Sequence, residues 1–334
     1  MSENASGNMA RAAMASRKRD VGGAFAINLT PVERILQRSS LIGIGEFRCP
    51  VEHPQFLGGG PQTCPYIVFP RTSVRLTQEH WRSEICTPNL VSLHNVGDTY
   101  DRHPVSVEGD QSDWIAVSPE LLREIAAPYV DSRHAETNQI FRQPFAPMAP
   151  KIYLAQRSLF MATQDNSELP ILAIEEYVIH LVEAVLQSAS RFWDRPRQST
   201  KKMNAASMRR QWTIAAEAKT IMALQYWEPL SVAQIAQHVH CSPGYLCRTF
   251  KRVTGFTLHG YLQQLRLRAS LQLLADSWMD FAGIAEHLGF ATHSHFTDVF
   301  RRQFGITPTE FTQRRSTRLL QTLSRMPSIF QATA

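Results

Sequence analysis

One stretch constrains this chain more than any other. Between Ser231 and Phe311 the sequence states one pattern twice. Arg248-Thr249-Phe250-Lys251-Arg252-Val253-Thr254-Gly255 returns as Asp298-Val299-Phe300-Arg301-Arg302-Gln303-Phe304-Gly305, an offset of 50 residues. Upstream, Ile235-Ala236 returns as Ile284-Ala285, one residue closer. A repeat of this period implies two copies of one supersecondary unit.

Each copy reads as helix, tight turn, helix. In the first, Ser231 is an N-cap, and Val232, Ile235, Ala236 and Val239 follow at helical spacing. His240-Cys241 makes the turn, and Ser242-Pro243 restarts a helix as cap and first residue. Leu246 and Phe250 then face inward. In the second copy Asp280 caps Phe281, Ile284, Ala285 and Leu288, Gly289 turns, Thr292 caps, and Phe296 and Phe300 face in. This is the helix-turn-helix pattern, whose second helix enters the major groove of DNA. Between the copies, Thr257 to Leu274 reads as one helix of about 27 Å at 1.5 Å per residue. Such a helix suits two recognition helices about one DNA turn (~34 Å) apart.

The two units resemble the DNA-binding domain of AraC/XylS-type transcription regulators. The residues that carry the resemblance are Ile235-Ala236, Ser242-Pro243, Leu246, Arg248, Phe250-Lys251, Gly255, Tyr261-Leu262, Arg266-Leu267, Ala269 and Leu273-Leu274. In the second copy they are Ile284-Ala285, Gly289-Phe290, Ser294-His295-Phe296, Val299-Phe300, Phe304-Gly305, Pro308 and Phe311. They cover about a third of the chain.

The outward positions of the first recognition helix are Gly244, Cys247 and Arg248, which the resemblance aligns with base-contacting positions. Arg248 has the fork that bridges guanine O6 and N7. Gly244 offers no side chain, so this helix is a sparse reader. Cys247 reads either as an apolar contact to a thymine methyl or as a half-buried small residue. On the second helix the outward set is His293, Ser294, Thr297 and Asp298. Asp298 stands where the family usually has a basic residue. It suits acceptance from cytosine N4, or pairing along the helix with Arg301 or Arg302. Lys251 and Arg252, with Arg301 and Arg302, sit a turn later and are expected on phosphates.

Charge agrees with this division. From Arg209 onward there are 14 Lys/Arg against 7 Asp/Glu, within a chain of net charge +6. The basic surplus lies in the helix-turn-helix region, as a phosphate-binding surface requires.

Residues 1–28 are polar, Ala/Ser-rich and basic, without the apolar core of a secretory signal, and read as a disordered leader. Thr30-Pro31 opens a short amphipathic segment. From Leu41 to Trp114 short apolar runs alternate with Pro, Gly and Asn. Leu41–Gly45, Tyr66–Phe69, Ser73–Leu76, Leu90–Leu93 and Trp114–Val117 read as strands. Asn95–Asp98 and Glu108–Asp110 read as turns. This predicts a small β-sandwich or barrel. Phe69-Pro70-Arg71, the Leu93 to Tyr100 turn, His103-Pro104 and Gly109-Asp110 resemble the cupin-like sensor domain common in the same family. Ser118 caps a helix, and Asp131 to Pro150 reads as an irregular connection. Lys151 to Gln164 and Glu168 to Trp193 then read as helices. In the second, Ile171, Ile174, Val178, Leu181, Val182 and Val185 form an apolar stripe, for packing on the β-domain, for dimerisation, or for both.

The expected fold is therefore a two-domain chain. A mainly β, cupin-like sensor and dimerisation domain with helices covers 29–193. A polar linker covers 194–207, and an all-α DNA-binding domain with two helix-turn-helix motifs joined by a long helix covers 208–318. There Ile214, Ala218, Ile221 and Leu224 face inward from the first helix, and a tail follows at 319–334. The resemblance implies double-stranded promoter DNA, a small-molecule effector, RNA polymerase and a second copy of the chain as partners, with activation as the family's habit.

Five cysteines, odd in number and without paired spacing, point to a reducing cytosol. No apolar run approaches the ~18 residues of a membrane helix. Cys49-x-x-x-His53 has a metal-like spacing, with Cys64, His80, Cys86, His94 and His103 in the same domain. The β-domain has no His-x-His of a metal-binding cupin. Nor does the chain show a four-cysteine zinc arrangement, a Ser/His/Asp set or a Gly-rich phosphate loop. The expectation is no enzyme, no cofactor and no metal. The competing reading is a metal or thiol sensor, or an enzyme domain, fused to the DNA-binding part.

Overall fold

The computed structural model describes residues 32–130, 139–164, 169–194, 204–276 and 279–313. The leader at 1–28, most of the linker, residues 131–138 of the irregular connection and the tail at 319–334 lie outside them.

The N-terminal half is built from two antiparallel sheets. The larger runs β1 (Glu33–Arg38), β2 (Ile42–Cys49), β9 (Asp110–Val117), β4 (Tyr66–Pro70), β7 (Leu90–His94), β10 (Phe145–Pro147). The smaller runs β3 (Gly58–Gly59), β8 (Tyr100–Pro104), β5 (Val74–Gln78), β6 (Glu84–Cys86). The segment read as amphipathic after Pro31 is thus a strand, paired along β2. The strand period of two assigns each residue of the large sheet to a face. On β9, Ser112, Trp114 and Ala116 point between the sheets, while Asp113, Ile115 and Val117 point to the helices. Two predicted turns need left-handed glycines, Gly97 at φ 85° and Gly109 at φ 73°. A Cβ on Gly109 would also lie 2.2 Å from the Cys49 carbonyl oxygen.

Three helices cover the outer face of the large sheet. They are α1 (Pro119–Ala126, capped by Ser118), α2 (Pro150–Gln164) and α3 (Ile171–Trp193). The α3 stripe settles its own role. Ile174, Val178, Leu181, Val182 and Val185 are buried in the domain core, whereas Ile171 is exposed at the helix start. The stripe is consumed by packing on its own domain.

The C-terminal half is helical. It comprises α4 (Ala205–Leu224), α5 (Val232–His238), α6 (Pro243–Thr254), α7 (Leu258–Asp276), α8 (Phe281–His287), α9 (His293–Phe304) and α10 (Pro308–Gln313). Helix α4 starts inside the stretch read as linker, because Asn204 Oδ1 accepts from the Ser207 amide at 2.8 Å. Ile214 and Ala218 are buried as expected, Ile221 partly so. Leu224 instead lies exposed at the helix end, where Met222 and Ala223 take the inward places.

The apolar core does not divide where the charge does. The first helix-turn-helix has its own cluster, centred on Leu246, Phe250, Ile235 and Tyr261. The second shares one cluster with α2 and α3: Leu267, Leu271, Phe296 and Phe300 join Leu154, Leu159 and Leu181. Helix α2 is correspondingly buried along almost its whole circumference.

A polar seam reinforces this junction. Thr87 Oγ1 and Tyr261 Oη lie 2.6 Å apart, and Asn89 Nδ2 donates to the Tyr261 carbonyl at 3.0 Å. Arg268, 2% exposed, donates to the Asn89 side-chain carbonyl and to the Met148 backbone carbonyl, with its guanidinium over the Tyr153 ring. Arg157 bridges Asp113 at 2.6 Å and Gln272 at 3.2 Å.

Between the two sheets lies a cavity of about 50 Å³. Its walls come from β2, β4, β5, β7, β8 and β9, with Glu33 of β1.

Candidate nucleic-acid interface

Both recognition helices are held by local rules that repeat between the copies. Ser231 caps α5 in a capping box with Gln234, and Asp280 caps α8 through the Gly283 amide at 2.7 Å. Ser242 and Thr292 cap the recognition helices α6 and α9 through the amides of Tyr245 and His295. Gly255 and Gly305 end those helices in the left-handed conformation, at φ 82° and 81°. The first turn departs from its copy. His240 takes φ 49° without being glycine, whereas Gly289 takes 69° in the second copy.

The inward faces bury Leu246, Phe250, Phe296 and Phe300 completely. That fixes what faces out. Gly244, Cys247, Arg248, Lys251 and Arg252 are exposed on α6. Exposed Cys247 answers the half-buried alternative. On α9, His293, Ser294, Asp298, Arg301 and Arg302 are exposed and Thr297 is half-buried. A Cβ on Gly244 would come 3.4 Å from an Arg248 guanidinium nitrogen, so the glycine leaves room for that side chain over the helix start. His293 is less free than its exposure suggests. Its ring stacks on Phe281, with centroids 6.1 Å apart, and its Nε2 lies 3.4 Å from Thr297 Oγ1. Among the described residues no ion pair joins Asp298 to Arg301 or Arg302.

One residue ties the two units together. Arg266 of α7 donates to three backbone carbonyls: Tyr226 at 2.6 Å, Gly289 at 2.7 Å and Glu228 at 2.8 Å. The first and third follow α4 and the second is the turn of the second unit. A Cβ on Gly289 would lie 2.8 Å from the Arg266 guanidinium and from the Trp227 carbonyl, so glycine is needed there for space as well as for φ.

Residues 235–314 match a family described as a helix-turn-helix domain. A solved transcriptional regulator from Chromobacterium violaceum, described as an AraC-type DNA-binding domain-containing protein, is 33% identical; the match covers 34% of this chain and 98% of that one, at a TM-score of 0.30. The C-terminal helices form an AraC-type helix-turn-helix domain. Over 103 residues the chain is 31% identical to the regulatory protein PocR of Salmonella typhimurium, covering 29% of this chain and 34% of that protein. Over 88 residues it is 34% identical to AdaA of Bacillus subtilis, named as a bifunctional transcriptional activator and DNA repair enzyme, covering 26% of this chain and 42% of that protein. The chain thus spans well under half the length of these curated relatives, and the matches to PocR and AdaA are no longer than one domain.

The thiols of the β-domain are unlike those of a reactive site. Cys49, Cys64 and Cys86 are buried, and burial raises all three, Cys64 to about 11. A sensor thiol needs the opposite shift. Among the described residues no group of three or more His, Cys, Asp or Glu is arranged to hold a metal. No described helix is long and apolar enough to cross a membrane.

Sequence reading missed the seam residues Asn89 and Arg268, and with them Glu84 and Lys219, whose Oε1 and Nζ lie 2.6 Å apart across the same junction. Each looks like an ordinary polar surface residue until the two halves are packed together.

Proposed function

We propose that this chain is a sequence-specific DNA-binding transcription regulator of the AraC type that reads promoter DNA with α6 and α9. The observation that carries this reading is the duplicated exposed face. Each recognition helix presents polar residues over its first turns and a basic pair, Lys251-Arg252 or Arg301-Arg302, in its last turn. Phosphate contacts then set register and base contacts set sequence. In this reading Gly244, Cys247, Arg248, His293, Ser294, Thr297 and Asp298 face bases, and the two basic pairs face phosphates.

The N-terminal part is read as a cupin-like sensor for a small-molecule effector, supported by the cavity between its sheets. The seam, with its buried Arg268 and Lys219, is the route by which a bound effector would act on α7 and α4. Activation through RNA polymerase is the direction proposed, since one relative is named an activator. Two copies of the chain pairing on adjacent half-sites are part of the same proposal, with the exposed side of α3 available to them.

The test is selection of duplexes from a random pool by the full chain, followed by binding at several salt concentrations. One enriched motif is expected, with log K falling against log salt at a slope of about −3 to −4, as roughly four phosphate contacts predict. A pool without an enriched motif would remove the function proposed.

A further inference from the structure

Arg266 stands where the helical half changes from one apolar core to the other. Before it on α7, Tyr261, Leu262 and Leu265 belong to the cluster of the first helix-turn-helix. After it, Leu267, Leu271 and Leu274 belong to the cluster that holds the second. Helix α7 thus carries both units. Apolar packing is non-directional, so neither core alone fixes how one unit is turned about α7 relative to the other.

The half-buried guanidinium supplies that direction. Its Nε donates to the Tyr226 carbonyl at 2.6 Å and its Nη2 to the Glu228 carbonyl at 2.8 Å. These two acceptors lie in the connection from α4 to the Ser231 cap of the first unit. That connection is itself folded, since the Glu228 carbonyl also accepts from the Leu230 amide at 2.9 Å. The third donor, Nη1, reaches the Gly289 carbonyl at 2.7 Å, in the turn that precedes the Thr292 cap of α9. All three acceptors belong to the backbone, so the course of the chain is held rather than a movable side chain. The same spot brings two backbones together, because a Cβ on Gly289 would lie 2.8 Å from the Trp227 carbonyl. Tyr226 packs against both clusters. A guanidinium directs its N–H groups in one rigid plane, so three carbonyls bound at once leave one relative placement of the pieces that carry them.

We propose that Arg266 is the positioning residue that sets the spacing at which α6 and α9 read DNA. By tying the entry of the first unit to the turn that launches α9, it holds the two base-reading ends at one separation and one rotation. The chain is then selective for the number of base pairs between the two parts of its site. This selectivity rests on the reading of both helices as DNA readers. The neighbouring Arg268 ties α7 to Asn89 and Met148 across the seam, whereas every contact of Arg266 named above lies within the DNA-binding half.

The experiment uses the full chain and the duplex motif it selects. The motif is also made with one base pair removed, and with one or two added, between the two read segments, all read bases being kept. Each step moves one segment by about 3.4 Å and turns it by about 34°. The unaltered chain is expected to prefer the selected spacing roughly 100-fold over a one-step change, because one helix then loses its bases. Arg266→Lys keeps the charge but offers one nitrogen where three served. It should weaken binding at the selected spacing about fivefold and cut the spacing preference to roughly tenfold. Single-base preferences within each segment should not change. An equal loss at every spacing overturns the proposal and leaves Arg266 as a stabilising residue. An unchanged panel also overturns it, giving the spacing to the seam, as does an unaltered chain indifferent to spacing. Thermal melting checks the fold. Should Arg266→Lys not fold, Arg266→Gln goes through the same panel, and failure of both to fold assigns Arg266 to stability and overturns the proposal as well. A pool without an enriched motif removes DNA reading itself, whereas an enriched motif with an unmoved spacing preference removes the role of Arg266 alone.

Discussion

Lys219 and Glu84, one from each domain, meet inside the seam with Nζ 2.6 Å from Oε1. Burial alone would lower the lysine pKa; the Glu84 carboxylate together with Tyr261 and Cys86 outweighs it and holds the ammonium above its ordinary value. Because the folded pKa is raised, the pair's contribution is complete below the unfolded value of about 10.5 and is lost only as pH rises through the folded one. Removing one partner strands the other. Lys219→Met is expected to cost about 3–5 kcal/mol, while Lys219→Met combined with Glu84→Leu should cost less than either change alone. Urea unfolding of the three variants measures this. Simple additivity would show that the two groups do not depend on one another.

His94 gives the opposite pH signature. Its folded pKa lies near 4, below the ordinary 6.5, because burial and Arg102 disfavour the imidazolium. Between these values the unfolded chain binds a proton that the folded chain refuses, so stability falls as pH drops through that window. The full loss is on the order of 3 kcal/mol. Melts at pH 7 and pH 4 should show a larger decline for the unaltered protein than for His94→Gln. Equal declines would mean that His94 is already charged or solvated in the folded state.

The C-terminal half was largely legible because its boundaries are written in single residues. Ser231, Ser242, Asp280 and Thr292 each cap a helix, and Gly255 and Gly305 each end one. The β-domain was legible only where strands run apolar. Strand β8 carries Asp101, Arg102 and His103 and reads as loop, yet Arg102 is turned inward by its pairing with Asp110. Strands β6 and β10 have three residues each and exist through their neighbours. The seam was hidden for another reason. Lys219 and Arg268 are long cations, which on a helix normally face water, and only the packing of a second domain makes them interior. The charge split likewise marks a basic surface without marking where the apolar core divides.

The two copies allow a test of base reading against phosphate holding. Arg248 leans over Gly244 near the start of α6, whereas Lys251 lies in its last turn. Arg248→Ala is expected to cost about 1–3 kcal/mol at one base position and to relax specificity there. Lys251→Ala should weaken all sequences about equally and reduce the salt slope by about 1. Binding of a full set of single-base variants of the selected motif separates the two. Equal, sequence-blind losses would remove Arg248 from the reading role.

Asp298 occupies in α9 the place that Arg248 holds in α6, exposed and without an ion pair to Arg301 or Arg302 among the described residues. A carboxylate facing DNA repels phosphates, so the second helix should add less nonspecific affinity than the first. It keeps one favourable use, acceptance of a hydrogen bond from cytosine N4. Asp298→Asn removes the charge while keeping a carbonyl, but it also places an amide donor beside the base. The variant is expected to lose preference for C·G at one position in the second half of the site, by about 1–3 kcal/mol, with little change at other positions. Asp298→Ala should lose the same preference. Affinities of both variants for the selected motif and for its substituted forms, measured at one salt concentration, decide the matter. If either change strengthens binding to every sequence alike, Asp298 acts through its charge alone and α9 is read through His293, Ser294 and Thr297.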